Sequence, residues 1–97
     1  MMLLCERSTN EGLLVSVCDA DILGETFERG KLSLTVDPDF YDGEEATPSE
    51  VIDSLAEASV ANLVGTEAVE TAIEHGFVDE GNVLDFEETL HAQYLRM

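Results

Sequence analysis

The stretch from Thr47 to Phe77, TPSEVIDSLAEASVANLVGTEAVETAIEHGF, decides how the rest of the chain is read. Thr47 is a good N-cap, Pro48 suits the first helical position, and Glu50 completes a Thr-x-x-Glu capping box. Val51, Leu55, Ala58 and Asn62 then fall at helical spacing, with Ile52, Ser59 and Leu63 beside them. Gly65 is a natural terminator, because a residue without Cβ enters the left-handed region without strain. Thr66 is placed to cap a second helix carrying Ala68, Val69, Ala72 and Ile73 on one side. His75 in the last turn, Gly76 after it and Phe77 folding back mark its end. The pattern predicts two helices joined at Gly65.

Working outward, Met2 to Arg7 is a short apolar run, and Leu13 to Cys18 alternates Leu13, Val15 and Val17 against Leu14, Ser16 and Cys18. Together they predict a hairpin with a polar loop of about five residues, Ser8 to Gly12. Asp19 to Gly30 reads as a loop with one helical turn, and Lys31 to Val36 as a half-buried strand. Asp37 to Ala46 is an acidic loop holding the aromatic pair Phe40 and Tyr41. Beyond the helices, Asn82 to Glu87 and Leu90 to Leu95 are the last two strand candidates. The order βββααββ defines an α+β fold, a mostly antiparallel sheet of about four to five strands packed on a two-helix unit. A chain of 97 residues is expected to form one domain over 1–97.

Charge is the dominant compositional fact: 22 acidic residues against 4 basic ones, a net charge of -18. Apolar content of 44% is ordinary for a globular protein, which separates the chain from disordered acidic tails. Glu50, Asp53 and Glu57 form a stripe on the first helix, and Glu67, Glu70 and Glu74 repeat it on the second. Each like-charge pair costs roughly 0.2–0.5 kcal/mol in dilute buffer. Near 1 M salt the Debye length falls to about 3 Å and the penalty goes. The chain therefore reads as a halophilic protein, an acidic surface keeping it soluble at high salt. The competing reading is an acidic face that docks a basic partner or mimics nucleic acid. No apolar run is long enough to span a bilayer, and MMLLC lacks the basic flank of a signal peptide, so a cytoplasmic address is expected, with no membrane contact.

Few chemical motifs survive scrutiny. Asp19-Ala-Asp21 begins like a calcium loop, but Leu23 occupies the fifth position and Gly30 the place of the bidentate glutamate. Asp37, Asp39, Asp42, Glu44 and Glu45 are the acidic cluster expected by chance in so acidic a chain. Cys5, Cys18, His75 and His91 lack zinc-ligand spacing, so no metal is expected, and free thiols are the better reading of both cysteines. A helix pair opening on Glu67, with Glu70 and Glu74 where arginines would be wanted, does not suit DNA. Neither a Gly-x-Ser-x-Gly elbow nor a phosphate loop nor a dinucleotide fingerprint is present, so no catalytic residue and no cofactor are assigned. His91 and Gln93, one strand pitch apart on one face, suit hydrogen bonding to a ligand or to a partner's backbone, or to groups of their own sheet. Asn62 carries the same ambiguity. One of Phe40 and Tyr41 is expected to plug the core, leaving the other as a partner anchor.

Val17-Cys-Asp19 leading to Ile22-Leu-Gly24, Phe40-Tyr-Asp-Gly43, Ala61-Asn-Leu-Val-Gly65, Glu74-His-Gly76 and His91-Ala-Gln93 occur in that order. With these motifs the chain resembles, over nearly its whole length, a small archaeal family catalogued as a domain of unknown function, number 424. Leu90 stands where the family pattern has proline before His-Ala-Gln. The resemblance implies continuity of fold, an archaeal and, given the acidity, haloarchaeal-type protein, and no established activity. It also leans toward translation- and ribosome-associated company. Asn62, Gly65, His91 and Gln93 are the matching positions to examine as binding residues, with Phe40 and Tyr41 beside them. The expectation is a non-enzymatic binding module with a protein or ribonucleoprotein partner. The alternative is a small enzyme or small-molecule-binding protein using His91 as acid–base.

Overall fold

Two layers of packing meet on the faces of one sheet. The computed structural model describes residues 1–96. A hairpin, β1 (Met2–Thr9) and β2 (Gly12–Asp19), leads through a 3-10 turn (Ala20–Ile22) into a second hairpin, β3 (Thr26–Arg29) and β4 (Leu32–Thr35). A one-turn helix α1 (Pro38–Tyr41), strand β5 (Glu44–Ala46), helix α2 (Pro48–Glu57) and strand β6 (Val60–Val64) follow. Helix α3 (Thr66–Glu74), a 3-10 turn (Glu80–Asn82) and strands β7 (Leu84–Asp85) and β8 (Leu90–Leu95) complete the order. The main sheet has six strands in the order β5-β1-β2-β6-β8-β7, and β3-β4 forms a separate two-stranded sheet. The fold is α+β, and the main sheet is mixed: β2 and β6 run parallel and its other neighbours antiparallel.

The largest departure from the sequence reading lies between Ala58 and Val64. The expected first helix stops at Glu57, Ala58 turns extended (φ -68°, ψ 140°), and the Ser59 N–H donates to Leu13 O at 2.9 Å. Val60–Val64 becomes the strand between β2 and β8. Local preference is weak here, since helix propensities of ordinary residues span only about 0.7 kcal/mol each. Burying Leu63 and Val64 completely is worth about 1.5–3 kcal/mol apiece. The helices are therefore not a turn-linked pair, and Gly65 joins a strand to a helix. The same region corrects the cap: Thr66 is the first residue of α3, while Asp19 at the end of β2 caps it from a distance.

Elsewhere the capping box of Thr47 and Glu50 forms as expected. Helix α3 ends in a Schellman arrangement, with Gly76 N–H on Ile73 O at 3.1 Å and Phe77 N–H on Ala72 O at 2.9 Å. The first hairpin is tighter than expected, its strands closing to Thr9 and Gly12 around Asn10 and Glu11. Residues read as loop supply β3, α1 and β5, and the fourth expected strand shrinks to Leu84–Asp85.

Alternation sorts the sheet into two faces. Met2, Val15, Val17, Ala61, Leu63 and Ala92 point to one side, where Val51 and Leu55 of α2 and Ala68, Val69 and Ala72 of α3 close the core. On the other side Cys18 and Val64 pack under Phe27, Val36, Tyr41 and Phe86, so the β3-β4 hairpin and α1 cover one end only.

Candidate functional site: the uncovered end of the sheet

The strand registers set residues on the second face into rows. Leu3, Cys18, Val64, His91 and Leu84 form the row beneath the second core. The next row is Cys5, Ser16, Asn62 and Gln93, and the one beyond is Arg7, Leu14, Val60 and Leu95. Neither core cluster includes a residue of these two outer rows. Ser16 is sunk between its neighbours, Cys5, Leu14, Val60 and Asn62 are half-buried, Gln93 is exposed, and Leu95 is 62% exposed. Neither row contains a carboxylate, although 22 of the chain's 97 residues are acidic. By contrast Glu50, Asp53, Glu57, Glu67, Glu70 and Glu74 all stand exposed on the helices.

Arg7, the one charge in the rows, is occupied. Its guanidinium donates to Asp39 O and lies 5.5 Å from the centroid of the Phe40 ring. Phe40 in turn meets Tyr41 edge-to-face at 5.0 Å. Tyr41 is the aromatic that plugs the core, and burial pushes its phenol up to about 12, so it stays neutral. Phe40 remains half-exposed beside Arg7. Burial, followed by Asp19, Asp42 and Asp21, pushes the Cys18 thiol up to about 11, so this free cysteine is inert at neutral pH. Cys5 is also free.

The structure brings Asn62 and Gln93 directly opposite each other across the β6-β8 ladder. His91 sits one row inward, paired with Val64 on one side and Leu84 on the other. Desolvation lowers its pKa, favouring the neutral imidazole. Gly65 lies apart, buried at the β6-α3 junction with φ 115°. A Cβ there would fall 2.5 Å from Asp19 Oδ1 and 2.7 Å from Oδ2. His75 is at the far end of α3, its Nδ1 3.1 Å from Thr71 O. Sequence reasoning missed Cys5, Arg7, Ser16, Leu14, Val60 and Leu95 as members of the face. The available signal was the run of alternate positions without a carboxylate in three strands.

Among the described residues, no three His, Cys, Asp or Glu side chains gather as a metal site. Surface depressions are lined by other groups, one by Met1, Asp19, Ala20, Asp21 and Glu67, another by Ile73, Gly76, Phe77, Val78, Asp79 and Asn82. What the arrangement can do is bind: amides, a hydroxyl and aliphatic carbons on a platform free of carboxylates suit a macromolecular surface better than a small molecule.

The fold thus defines a class of small α+β proteins with one sheet face closed by helices and the other only half covered. The chain belongs to the family described as "Protein of unknown function (DUF424)", whose model matches residues 6–97. It is similar to an uncharacterized conserved protein from Methanopyrus kandleri, known from a crystal structure. The TM-score is 0.77 at 20% identity, covering 99% of this chain and 94% of that one, a likeness of fold. No curated protein matches the chain.

Proposed function

We propose that this protein is a non-enzymatic protein-binding module whose docking surface is the uncovered sheet face around Asn62 and Gln93. The observation that carries the reading is the exclusion of carboxylates from its two outer rows in a chain of net charge -18. A merely solvated face of this protein has no reason to differ in composition from its helices, whereas a face that is desolvated on binding must shed charge. Basic surfaces, such as those of ribosomal and translation proteins, complement the acidic surroundings. An accessory role near the ribosome is therefore the setting this module fits. Acid–base chemistry at His91 is less well supported, since the ring lies between Val64 and Leu84 and outside the depressions described above.

The test places charge on the face without changing its shape. Gln93→Glu, at the exposed member of the row, should abolish capture of partner proteins from native lysate at high KCl, while leaving the melting curve intact. The matched change Glu70→Gln on the helix face should leave capture unaltered. Equal capture by both variants would remove the face from the argument.

A further inference from the structure

The same corner of the sheet offers unpaired backbone as well as side chains. Gly65 N–H donates to Leu90 O at 2.8 Å, and Arg96 N–H donates to Ser59 O at 2.9 Å. In an antiparallel ladder both backbone groups of alternate residues face the same neighbour. The two bonds therefore assign the even-numbered residues of β8 to β6, and the odd-numbered ones to the opposite edge. Phe86 N–H donating to Thr89 O at 2.9 Å, on the β7 side, agrees with that parity. His91 finds β7, but β7 reaches only Leu90 and His91. The segment that would continue it alongside Gln93 and Leu95 turns instead into the 3-10 helix Glu80–Asn82. Among the described residues no strand pairs with Gln93 or Leu95 on that side, so their N–H and C=O form a free edge.

Free edges normally carry a guard: charge, proline or a covering segment. At the opposite side of the sheet, β5 covers Met2–Leu4 of β1, and the uncovered part of β1 carries Glu6 and Arg7. Strand β8, Leu-His-Ala-Gln-Tyr-Leu, contains neither charge nor proline, and Leu95 stands 62% exposed beside its open groups. Exposed carboxylates, Asp79 and Glu80, stand in the turn that precedes β7, on the side toward Gln93 and Leu95.

We infer that the partner enters as an extended segment of a basic protein, adding a strand to the free edge of β8 at Gln93 and Leu95. This rests on the binding-module reading and specifies its mode. Main-chain hydrogen bonds supply the docking, and the open face beside Gln93 and Leu95 receives alternate side chains. Lysine or arginine in the segment meets the carboxylates of Asp79 and Glu80.

The experiment uses the full chain, isotopically labelled, at high KCl. The probes are a capped peptide of alternating lysine and valine and the same peptide N-methylated at alternate residues. Binding of the unmodified peptide should slow hydrogen exchange at the Gln93 and Leu95 amides by about tenfold or more, and N-methylation should abolish it. Leu95→Pro should also abolish binding without melting the fold, because the lost N–H faces the open edge. Equal binding of the N-methylated peptide would overturn strand addition. If that binding moved the Asn62 and Gln93 side-chain amides, the face reading would still stand. No binding by either peptide would overturn the inference. So would a dimer by sedimentation with both amides already protected, which would make a second copy the occupant.

Discussion

The carboxylate of Asp19 occupies the space that a Cβ on Gly65 would need, and from there it caps α3. The Glu67 N–H donates to its Oδ2 at 3.1 Å and the Ala68 N–H to its Oδ1 at 2.9 Å. One side chain at the end of β2 thereby binds the sheet to the start of the helix, and glycine is required at the junction for two reasons, space and a φ of 115°.

Gly65→Ala should therefore cost about 3 kcal/mol or more, combining a steric clash with left-handed backbone strain. Asp19→Ala alone should cost about 1 kcal/mol as a lost cap. In the Asp19→Ala background the glycine substitution should cost only the backbone part, about 1–2 kcal/mol. Urea titration of the four proteins of this cycle measures the coupling. Strict additivity would mean that the two residues act independently.

His91 predicts a pH dependence of stability. Burial lowers its pKa from 6.5, so just below 6.5 the unfolded chain binds more protons than the folded one. The contribution is fully present above pH 6.5 and is lost as pH falls toward the folded pKa. Stability measured at constant high KCl should drop across that window, and His91→Gln should flatten the slope. An unchanged slope would assign it to other groups.

Asn62 is a poor strand former in the middle of a sheet, half-buried with Ser16 on one side and Gln93 on the other. If its amide serves a partner, Asn62→Val should raise stability by about 0.5–1 kcal/mol and abolish partner capture. A loss of stability in thermal melts would show instead that the amide is structural.

Salt should stabilise the fold throughout. Among the described residues the one ion pair joins the Met1 ammonium to Glu67 at 2.7 Å, so screening has little attraction to remove. Arg7, Arg29 and Arg96 donate instead to the carbonyls of Asp39, Asp85 and Ala56. The melting temperature should climb with KCl as the stripes on α2 and α3 are screened. Glu50→Gln with Glu57→Gln should raise it in dilute buffer and leave it nearly unchanged at high salt. A flat profile from dilute buffer to saturating KCl would refute the halophilic reading.

Local signals made part of this architecture readable. The alternation of Leu13 to Cys18, the Thr47–Glu50 capping box, the Gly76 stop and the Leu90–Leu95 strand each reside in a few neighbouring residues. Val60–Val64 was not readable as a strand, because Ala58, Asn62 and Leu63 continue the helical period of α2 on paper. Misplacing β6 also concealed the candidate site, for Asn62 and Gln93 become neighbours only when β6 and β8 pair. Gly65 drew notice as a terminator, and its actual constraint, the Asp19 carboxylate, lies far away in sequence.

By itself the sequence determined the α+β class, the capped start of α2, the Gly76 stop of α3, the acidic surface, and the interest of Asn62, His91 and Gln93. These follow from short-range sterics, capping and composition, which need no knowledge of distant partners. Only the tertiary structure decided that Val60–Val64 would be a strand, that Asp19 would cap α3, and that β7 would leave Gln93 and Leu95 with an open edge. Each of these depends on which distant segments supply hydrogen bonds and apolar cover, and that choice is made by the whole chain at once.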